Sequence, residues 1–162
     1  MISLMRALVQ KVAWAEVDSI VGAETSSEDV HPSGRIEEGI LVYVGIASDD
    51  TVEEAKWLAN KVSNLRIFPD EQGKLNKSIQ DVRGDVLIVS NFTLLADATS
   101  GRRPSFAAAA TFEQAKPIYQ IFVDVLREQG LNVQTGVFGA MMEVRSQASG
   151  PVNIIIDSPR RD

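Results

Sequence analysis

The polar and aromatic cluster Ser90-Asn91-Phe92-Thr93 follows directly on the apolar run at residues 86–89 and is the strongest candidate for chemistry in the sequence. The β-branched run predicts a buried strand, and open α/β sheets bind ligands beyond the carboxyl ends of their strands. A strand end that enters a tight turn can aim consecutive backbone N–H groups at a developing oxyanion. We therefore predict a site that works through backbone donors, although the local pattern also fits a core strand followed by an ordinary loop.

The side chains available for other kinds of catalysis are few. The absence of cysteine excludes thiolate nucleophiles and thiolate metal sites. His31 is the only histidine and is distant in sequence from Ser90, Thr93 and Ser105, so a Ser-His-Asp triad is not expected. Carboxylates without metal-ligand spacing and scattered glycines predict neither a metal nor a cofactor. Two roles stay open for Thr93, nucleophile or positioning residue, and the missing base favours the second.

The size and composition of the chain predict one domain, spanning residues 1–162. A hydrophobic fraction of 44% is ordinary for a globular protein of this length. No apolar run approaches the roughly 20 residues that a membrane helix needs, and the N-terminus lacks the pattern of a secretory leader. We expect a soluble, cytoplasmic protein with no membrane partner.

The net charge of −6, from 16 basic and 22 acidic residues, counts against a protein that wraps a long nucleic acid. Any contact with RNA is therefore expected to be local. The basic side chains near the central cluster or leading into it are candidates for such a contact. They are Lys74, Lys77, Arg83, Arg102 and Arg103.

The first half of the chain predicts strands and one helix that lead to the cluster. Residues 6–12 and 15–22 read as a hairpin, residues 23–34 as a long surface loop that contains His31, and residues 39–46 as a buried strand. Thr51 and Glu54 have capping-box spacing at the start of an amphipathic helix that ends near Leu65. A strand at residues 65–68, a turn at 70–73 with Gly73 at positive φ, and a polar connection at 74–83 follow.

The second half predicts another helix and two strands. Thr111 and Gln114 again have capping-box spacing, Gly130 fits a C-terminal cap, and Pro117 requires either a kink or a start near Lys116. Residues 141–145 and 152–156 read as strands on either side of Ser149-Gly150-Pro151, and residues 158–162 as a frayed tail. Together the elements place the chain in the α/β class.

Short motifs in a fixed order along nearly the whole chain resemble those of one family. They are residues 7–12 (ALVQKV), 65–68 (LRIF), 73–76 (GKLN), 90–94 (SNFTL), 101–106 (GRRPSF), 135–140 (TGVFGA) and 149–152 (SGPV). The family is that of the D-aminoacyl-tRNA deacylases, also called D-tyrosyl-tRNA deacylases. The resemblance implies a single domain of strongly curved, barrel-like β-sheets flanked by two main helices.

The resemblance also implies how the site is built. It implies a homodimer with each active site at the interface, where Ser90-Asn91-Phe92-Thr93 forms the floor and the N–H groups of Phe92 and Thr93 face the ester. Gly150-Pro151, with a cis peptide bond, is expected to reach in from the partner. Phe138 would stack on the terminal adenosine of tRNA, assisted by the Asn91 side chain, and Ala140 and Met141 are further expected substrate contacts.

The activity that the resemblance implies is hydrolysis of the ester between a D-amino acid and the 3′ end of tRNA, with glycine mischarged on tRNA-Ala also accepted. The substrate partner is then the 3′ acceptor end of D-aminoacyl-tRNA. Carbonyl groups of Gly150-Pro151 would occupy the space that an L side chain needs, and a ribose hydroxyl of the substrate would replace the missing base. The alternative is a dimeric nucleic-acid-binding or scaffold protein of the same fold without turnover.

Four positions differ from the pattern expected for that family. Asn91 stands where glutamine is usual, which shortens the reach toward the adenosine by one methylene. Ala148 and Asn153, on either side of Gly150-Pro151, replace asparagine and threonine. Lys11 replaces an arginine that supports the dipeptide, and lysine cannot reproduce a planar bidentate clamp. These differences bear on the rejection of L-amino acids rather than on the fold.

Overall fold

A computed structural model of the protein describes residues 4–21 and 29–159. The strands are β1 (Arg6–Val21), β2 (Asp29–Ile36), β3 (Gly39–Gly45), β4 (Phe68–Pro69), β5 (Leu75–Lys77), β6 (Asp85–Ser90), β7 (Asn132–Thr135) and β8 (Met141–Asp157). The helices are α1 (Val52–Asn64), α2 (Ile79–Val82) and α3 (Phe112–Glu128), with a 3₁₀ turn at Phe92–Leu95.

The main sheet has the strand order β2-β1-β3-β6-β7, and β8 pairs with the other edge of β1. The pairs β3–β6 and β6–β7 are parallel, and the pairs made by β1 are antiparallel. A Cβ placed on Gly34 of β2 would lie 2.9 Å from the Thr135 carbonyl oxygen of β7. The two ends of the strand order thus come together, which confirms the predicted barrel-like sheet in an α/β fold.

The two faces of the sheet bury different cores. Alternate residues of β3 and β6, among them Val42 and Ile88, pack under α1 and α3 with Leu58 and Phe122. The residues between them, Leu41, Leu87 and Val89, face the inside of the curved sheet with Val12, Val17 and Ile36. Strands buried on both faces explain why residues 39–46 and 86–89 are continuously apolar.

The predicted hairpin of residues 6–12 and 15–22 is wrong, because both runs belong to the single strand β1. Its first half pairs with β3, its second half with β2, and nearly its whole length with β8. Ala13 and Trp14, which lie between the two runs, are not turn-forming residues. The strand continues through them, and its pairing with β8 shifts register on either side of Val12.

The predicted surface loop at residues 23–34 is wrong for residues 29–34, which belong to β2, and its first part lies outside the described residues. Pro32 argued against a strand, but β2 is an edge strand, where a missing N–H is tolerated. His31 therefore lies exposed on β2 opposite Ser19.

The segment from residue 65 to residue 83 contains more structure than its polar sequence predicts. Of the strand expected at residues 65–68, only Phe68 lies in a strand, at the start of β4. The predicted positive φ of Gly73 is confirmed at 77°. The expected polar connection contains β5 and α2. The carboxylate of Asp70 accepts hydrogen bonds from the N–H groups of Gln72 and Lys74, and Ser78 caps α2.

Both predicted capping boxes are confirmed, at Thr51 for α1 and at Thr111 for α3. Helix α3 begins at Phe112 and contains Pro117, so the alternative of a start near Lys116 is wrong. The helix tolerates the proline because only one hydrogen bond of its second turn is lost. Gly130 follows the helix with φ of 83°, as predicted for a C-terminal cap.

The two strands predicted near the C-terminus form one long strand, β8, and the short strand β7 before it was not predicted. Ala148 pairs with Val12 and Asn153 with Gln10, so residues 149–152 bulge opposite Lys11 alone. Ser158, the first residue of the predicted frayed tail, is buried, and its N–H donates to the Met5 carbonyl at 2.9 Å. Among the described helices, none has the length and apolar character needed to cross a membrane.

Candidate active site

The predicted cluster begins at the carboxyl end of β6, in the middle of the parallel part of the sheet. Val86, Leu87, Ile88 and Val89 are buried, and burial ends at Ser90. The Asn91 N–H donates to the Val44 carbonyl of β3 at 2.8 Å, which fixes where the chain leaves the sheet. The strand therefore delivers the cluster to the edge where parallel sheets place ligands.

Asn91 caps the 3₁₀ turn that follows. Its side-chain oxygen accepts a hydrogen bond from the Thr93 N–H at 3.1 Å and a second, short one from the Thr93 hydroxyl. Its backbone carbonyl accepts from the Leu94 N–H at 3.4 Å. A helix N-cap residue typically accepts such a hydrogen bond from the backbone N–H two residues later.

The two backbone donors expected at the site differ in availability. The Thr93 N–H is bonded to Asn91, whereas the Phe92 N–H has no hydrogen-bond acceptor among residues 4–21 and 29–159. Because the first N–H groups of a helical turn have no partner within the turn, the Phe92 N–H can receive an acceptor from a ligand.

A cavity of ≈ 510 Å³ opens beside the turn and brings together five of the eleven predicted site residues. Ser90, Asn91 and Phe92 line it with Phe138 and Ala140. The apolar side chains Val44, Ile46, Ala110 and Ala115 also line it. Its volume lies within the range of small-molecule binding sites.

The ring of Phe138 contacts two other aromatic rings. Its ring centroid lies 5.1 Å from that of Phe112 and 5.1 Å from that of Tyr119. The Tyr119 hydroxyl donates to the Ile88 carbonyl at 3.4 Å, and burial raises the pKa of this phenol above its ordinary value. Phe138 is therefore a rigid aromatic wall of the cavity.

The close contact between Gly139 and Phe112 shapes the same wall. Gly139 has φ of 77°, and a Cβ there would lie 2.3 Å from Cε2 of Phe112. A glycine is required at this position because it accepts the positive φ and leaves room for the phenylalanine ring.

Eight lining residues were not predicted from the sequence to belong to the site. They are Val44, Ile46, Ala110, Thr111, Phe112, Ala115, Gly139 and Met142. Thr111 and Phe112 begin α3, and only the packing of that helix brings them to the end of β6. Met142 lines the cavity, whereas the predicted Met141 is 72% exposed and does not. The alternation of a strand assigns neighbouring methionines to opposite faces, but the sequence alone does not say which one faces inward.

The lining of the cavity contains no ionisable side chain. The hydroxyl of Thr93 is engaged by Asn91, and Thr93 is exposed beside the cavity rather than in its lining. The described part of the chain also contains no group of three histidine or acidic side chains that could hold a metal ion. Among the described residues, the polar groups at the cavity are therefore backbone groups, hydroxyl groups and the Asn91 side chain.

Gly150 and Pro151 do not line this cavity. They lie exposed in the bulge of β8, with a cis peptide bond between them and a φ of 115° at Gly150. The side chain of Lys11, opposite the bulge, points its Nζ over the Phe68 ring at 5.5 Å from the centroid. Ala148 is exposed at the start of the bulge. Within one chain, the two predicted halves of the site thus occupy different places.

Comparison with known proteins gives a consistent result over almost the whole chain. The family model of D-Tyr-tRNA(Tyr) deacylase matches residues 8–157. A D-aminoacyl-tRNA deacylase of Thermotoga petrophila is 49% identical over 156 residues, covering 96% of this chain and 99% of that protein. One of Aquifex aeolicus is 47% identical over 156 residues, covering 95% and 98%.

Two solved structures are similar to the whole chain. The c-Myc DNA unwinding element binding protein superposes with a TM-score of 0.83 at 37% identity and covers 96% of this chain and 99% of its own. A probable eukaryotic D-amino acid tRNA deacylase superposes with a TM-score of 0.74 at 18% identity and covers 94% and 98%. The second likeness concerns the fold alone.

Proposed function

The chain belongs to the D-Tyr-tRNA(Tyr) deacylase family, and from this premise we propose that it hydrolyses the ester between a D-amino acid and the 3′ end of tRNA. The products are the free D-amino acid and tRNA. The observation that carries the proposal is the cavity beside the 3₁₀ turn, which combines an unengaged Phe92 N–H with the aromatic wall at Phe138.

The Phe92 N–H is suited to stabilise the transition state of ester hydrolysis. Attack of water on the ester carbonyl places negative charge on the carbonyl oxygen, and a fixed N–H donor favours that charge more than the neutral ester. An ester of tRNA is already reactive, so a small number of donors is sufficient. Phe92 is the residue to which we assign this role, with Ser90 and Thr93 beside it.

The proton transfers are assigned to water and substrate, because the cavity lining offers no ionisable side chain. The attacking water forms the new bond to the carbonyl carbon, and its proton passes through the neighbouring ribose hydroxyl. The bond from that carbon to the 3′ oxygen then breaks, and the 3′ oxygen leaves with the proton. The Thr93 hydroxyl has a positioning role in this scheme.

Phe138 is the assigned platform for the terminal adenine. Stacking of a base on an aromatic side chain contributes about 1–3 kcal/mol and requires a ring held in place. Contacts with Phe112 and Tyr119 hold it. Asn91, Ala140 and Met142 line the space beside the ring.

We propose that the second half of the site comes from a partner subunit in a homodimer. β8 pairs only with β1 among the described strands, so its other edge is open. It exposes Gly150-Pro151 and also Ile155, which is 65% exposed. Insertion of the Gly150-Pro151 bulge into the partner's cavity would place backbone carbonyls where an L side chain would lie, and so exclude L-amino acids by shape.

Exclusion by shape predicts the range of substrates. Glycine has no side chain to exclude, so glycyl-tRNA mischarged on tRNA-Ala is a substrate in this scheme. Lys11, which lies over the Phe68 ring, supports the bulge less firmly than a bidentate arginine would. We place the reaction in the cytoplasm, where aminoacyl-tRNA is used.

The deciding experiment compares hydrolysis of D-tyrosyl-tRNA, L-tyrosyl-tRNA and glycyl-tRNA-Ala by the purified protein under the same conditions. We expect rapid turnover of the D and glycyl esters and negligible turnover of the L ester. Equal turnover of D and L esters would contradict the exclusion by Gly150-Pro151, and no turnover of any would contradict the hydrolase.

A second candidate function is nucleic-acid binding without turnover. The observation in its favour is the similarity to a solved structure that is described as a DNA unwinding element binding protein. Against it stands the net charge of −6, which disfavours extended contact with a nucleic-acid backbone. Duplex DNA binding at moderate salt together with no ester hydrolysis would favour this candidate.

A further inference from the structure

A closed loop at residues 98–104 follows the 3₁₀ turn that borders the cavity. Asp97 and Ser105 exchange two backbone hydrogen bonds, each of 2.8 Å, and so clamp the base of the loop. The Asp97 carboxylate also accepts from the N–H and hydroxyl of Thr99. These bonds give the loop a defined start and end.

The loop is joined to the site by an aromatic contact. Phe106, directly after the clamp, meets Phe92 edge to face with 5.3 Å between ring centroids. Phe92 lines the cavity and carries the unengaged N–H. The position of the loop is thereby coupled to the residue that faces the ester.

Arg102 and Arg103 lie exposed on this loop and form no ion pair with any residue in the described ranges. Among the other described arginines, Arg6, Arg35 and Arg145 are engaged by carboxylates, whereas Arg66, Arg83 and Arg127 are not. Arg6 pairs with Asp157, and Arg145 with Glu16 and Asp18. Two adjacent unpaired guanidinium groups in a chain of net charge −6 form a local site for anions.

An acidic cleft adjoins the base of the loop. This cleft of ≈ 690 Å³ is lined by Ala98 and Thr99 of the loop and carries the carboxylates of Asp49, Asp97 and Asp157. Its one cation, Arg6, is held by Asp157. A phosphate backbone is repelled from this cleft, so its contact with the loop is confined to Arg102 and Arg103, which do not line the cleft.

We propose that Arg102 and Arg103 bind phosphates of the single-stranded RNA that leads to the ester, and so position the tRNA substrate. The inference rests on the proposed function and extends it to the body of the substrate. An arginine fork matches two phosphate oxygens, and phosphate contacts set register without reading sequence.

The test compares two double variants that remove the same charge. Arg102→Ala/Arg103→Ala removes the loop cations. Lys56→Ala/Lys61→Ala removes two exposed cations of helix α1, neither of which lies on the loop or lines the cavity.

Each variant is assayed with D-tyrosyl-tRNA and with D-tyrosyl-adenosine, which has the same ester and no phosphate. We expect the loop variant to raise KM for the tRNA ester about tenfold with kcat unchanged, and to leave the adenosine ester unaffected. The slope of log KM against log salt should fall by about 1.4, from two contacts at roughly 0.7 each. The control variant should match the wild type in KM for the tRNA ester, in hydrolysis of the adenosine ester and in the salt slope.

An equal loss of hydrolysis with both esters would overturn the proposal, because the arginines would then act on the site itself. Unchanged hydrolysis of both esters would also overturn it. Binding of uncharged tRNA is measured in parallel for all three proteins. If the wild type hydrolyses neither ester, the proposed hydrolysis is wrong. In that case, tRNA binding that weakens only in the loop variant still supports the phosphate contact. Unchanged tRNA binding in the loop variant would overturn the proposed phosphate contact.

Discussion

The side-chain oxygen of Asn91 lies 3.1 Å from the backbone nitrogen of Thr93 and accepts its hydrogen bond. One of the two N–H groups expected to face the ester is therefore engaged before substrate arrives. The other, on Phe92, is available. Asn91 thus determines how many backbone donors the site can direct at the substrate.

Replacing Asn91 with glutamine should raise kcat by about tenfold or more. The longer side chain does not favour the local bond to the residue two positions later, so the Thr93 N–H is released as a second donor. Loss of one such donor in a protease has cost about 10²–10³ in rate. Single-turnover hydrolysis of D-tyrosyl-tRNA measures the effect, with Asn91→Asp as the variant that retains the local bond. An unchanged or lower rate for glutamine would show that the Thr93 N–H is not used.

Thr93→Ala should reduce kcat by less than about tenfold, because it removes a hydroxyl that is bonded to Asn91 and keeps the backbone N–H. The control is Thr93→Ser, which keeps the hydroxyl and should resemble the wild type. Complete loss of hydrolysis in the alanine variant, with full activity in the serine variant, would instead identify Thr93 as the nucleophile.

Phe138→Leu should raise KM for the tRNA ester about tenfold with little effect on kcat, because leucine fills the core but offers no flat face for adenine. Phe138→Tyr keeps the ring and should bind normally. Competition by free adenosine gives a second measurement, and it should weaken in the leucine variant alone. Equal KM in leucine and tyrosine variants would mean that the ring does not stack on the base.

Ile155→Asp should convert the protein to a monomer and abolish hydrolysis, since a charge is placed on the exposed apolar part of β8. Val52→Asp is the matched control. Val52 is also an exposed apolar residue, and it opens α1, where an acidic side chain is favourable. Sedimentation velocity reports the oligomeric state. A wild-type monomer with full activity would contradict the two-subunit site.

Asp50 should make a contribution to stability that falls as pH rises from about 4 to about 6. Its buried carboxylate accepts hydrogen bonds from the N–H groups of Met5 and Ala47, and burial raises its pKa to about 6. Between those pH values Asp50 is ionised in the unfolded chain but keeps its proton in the folded protein. The free energy of unfolding therefore falls as the pH increases.

Urea unfolding of the wild type and of Asp50→Asn, measured from pH 4 to pH 7, isolates this contribution. The asparagine variant has one oxygen in place of the two that accept from Met5 and Ala47, at every pH. The wild type is therefore expected to be more stable than the variant at pH 4. The difference in unfolding free energy should narrow up to about pH 6 and then stay constant. A difference independent of pH would contradict the raised pKa.

The sequence predicts the elements whose signals are local. The capping boxes at Thr51 and Thr111, the turn glycine Gly73 and the strand before Ser90 depend on neighbouring residues, and the structure contains all of them. The family resemblance adds the cis Gly150-Pro151 bond, which has no local signal in the preceding residues.

Other features depend on contacts between distant residues. β2 is a strand because β1 offers its edge, although residues 29–34 are polar and contain a proline. Phe112 belongs to the cavity because α3 packs across the end of β6. The choice between Met141 and Met142 depends on the register of β8 against β1. Nothing within a few residues of these positions specifies the outcome.

The pairing of β1 with β8 joins the first and last of the described strands, from Arg6 opposite Asp157 to Ile20 opposite Met141. A ribosome that adds about 5–20 residues per second needs on the order of ten seconds to go from the end of β1 to the end of β8. Throughout that time one edge of β1 has no partner, and an open edge can accept a strand from another chain. The sheet that carries the site can therefore be completed only after residue 157 has been synthesised, and until then the nascent chain presents an open strand edge to other chains.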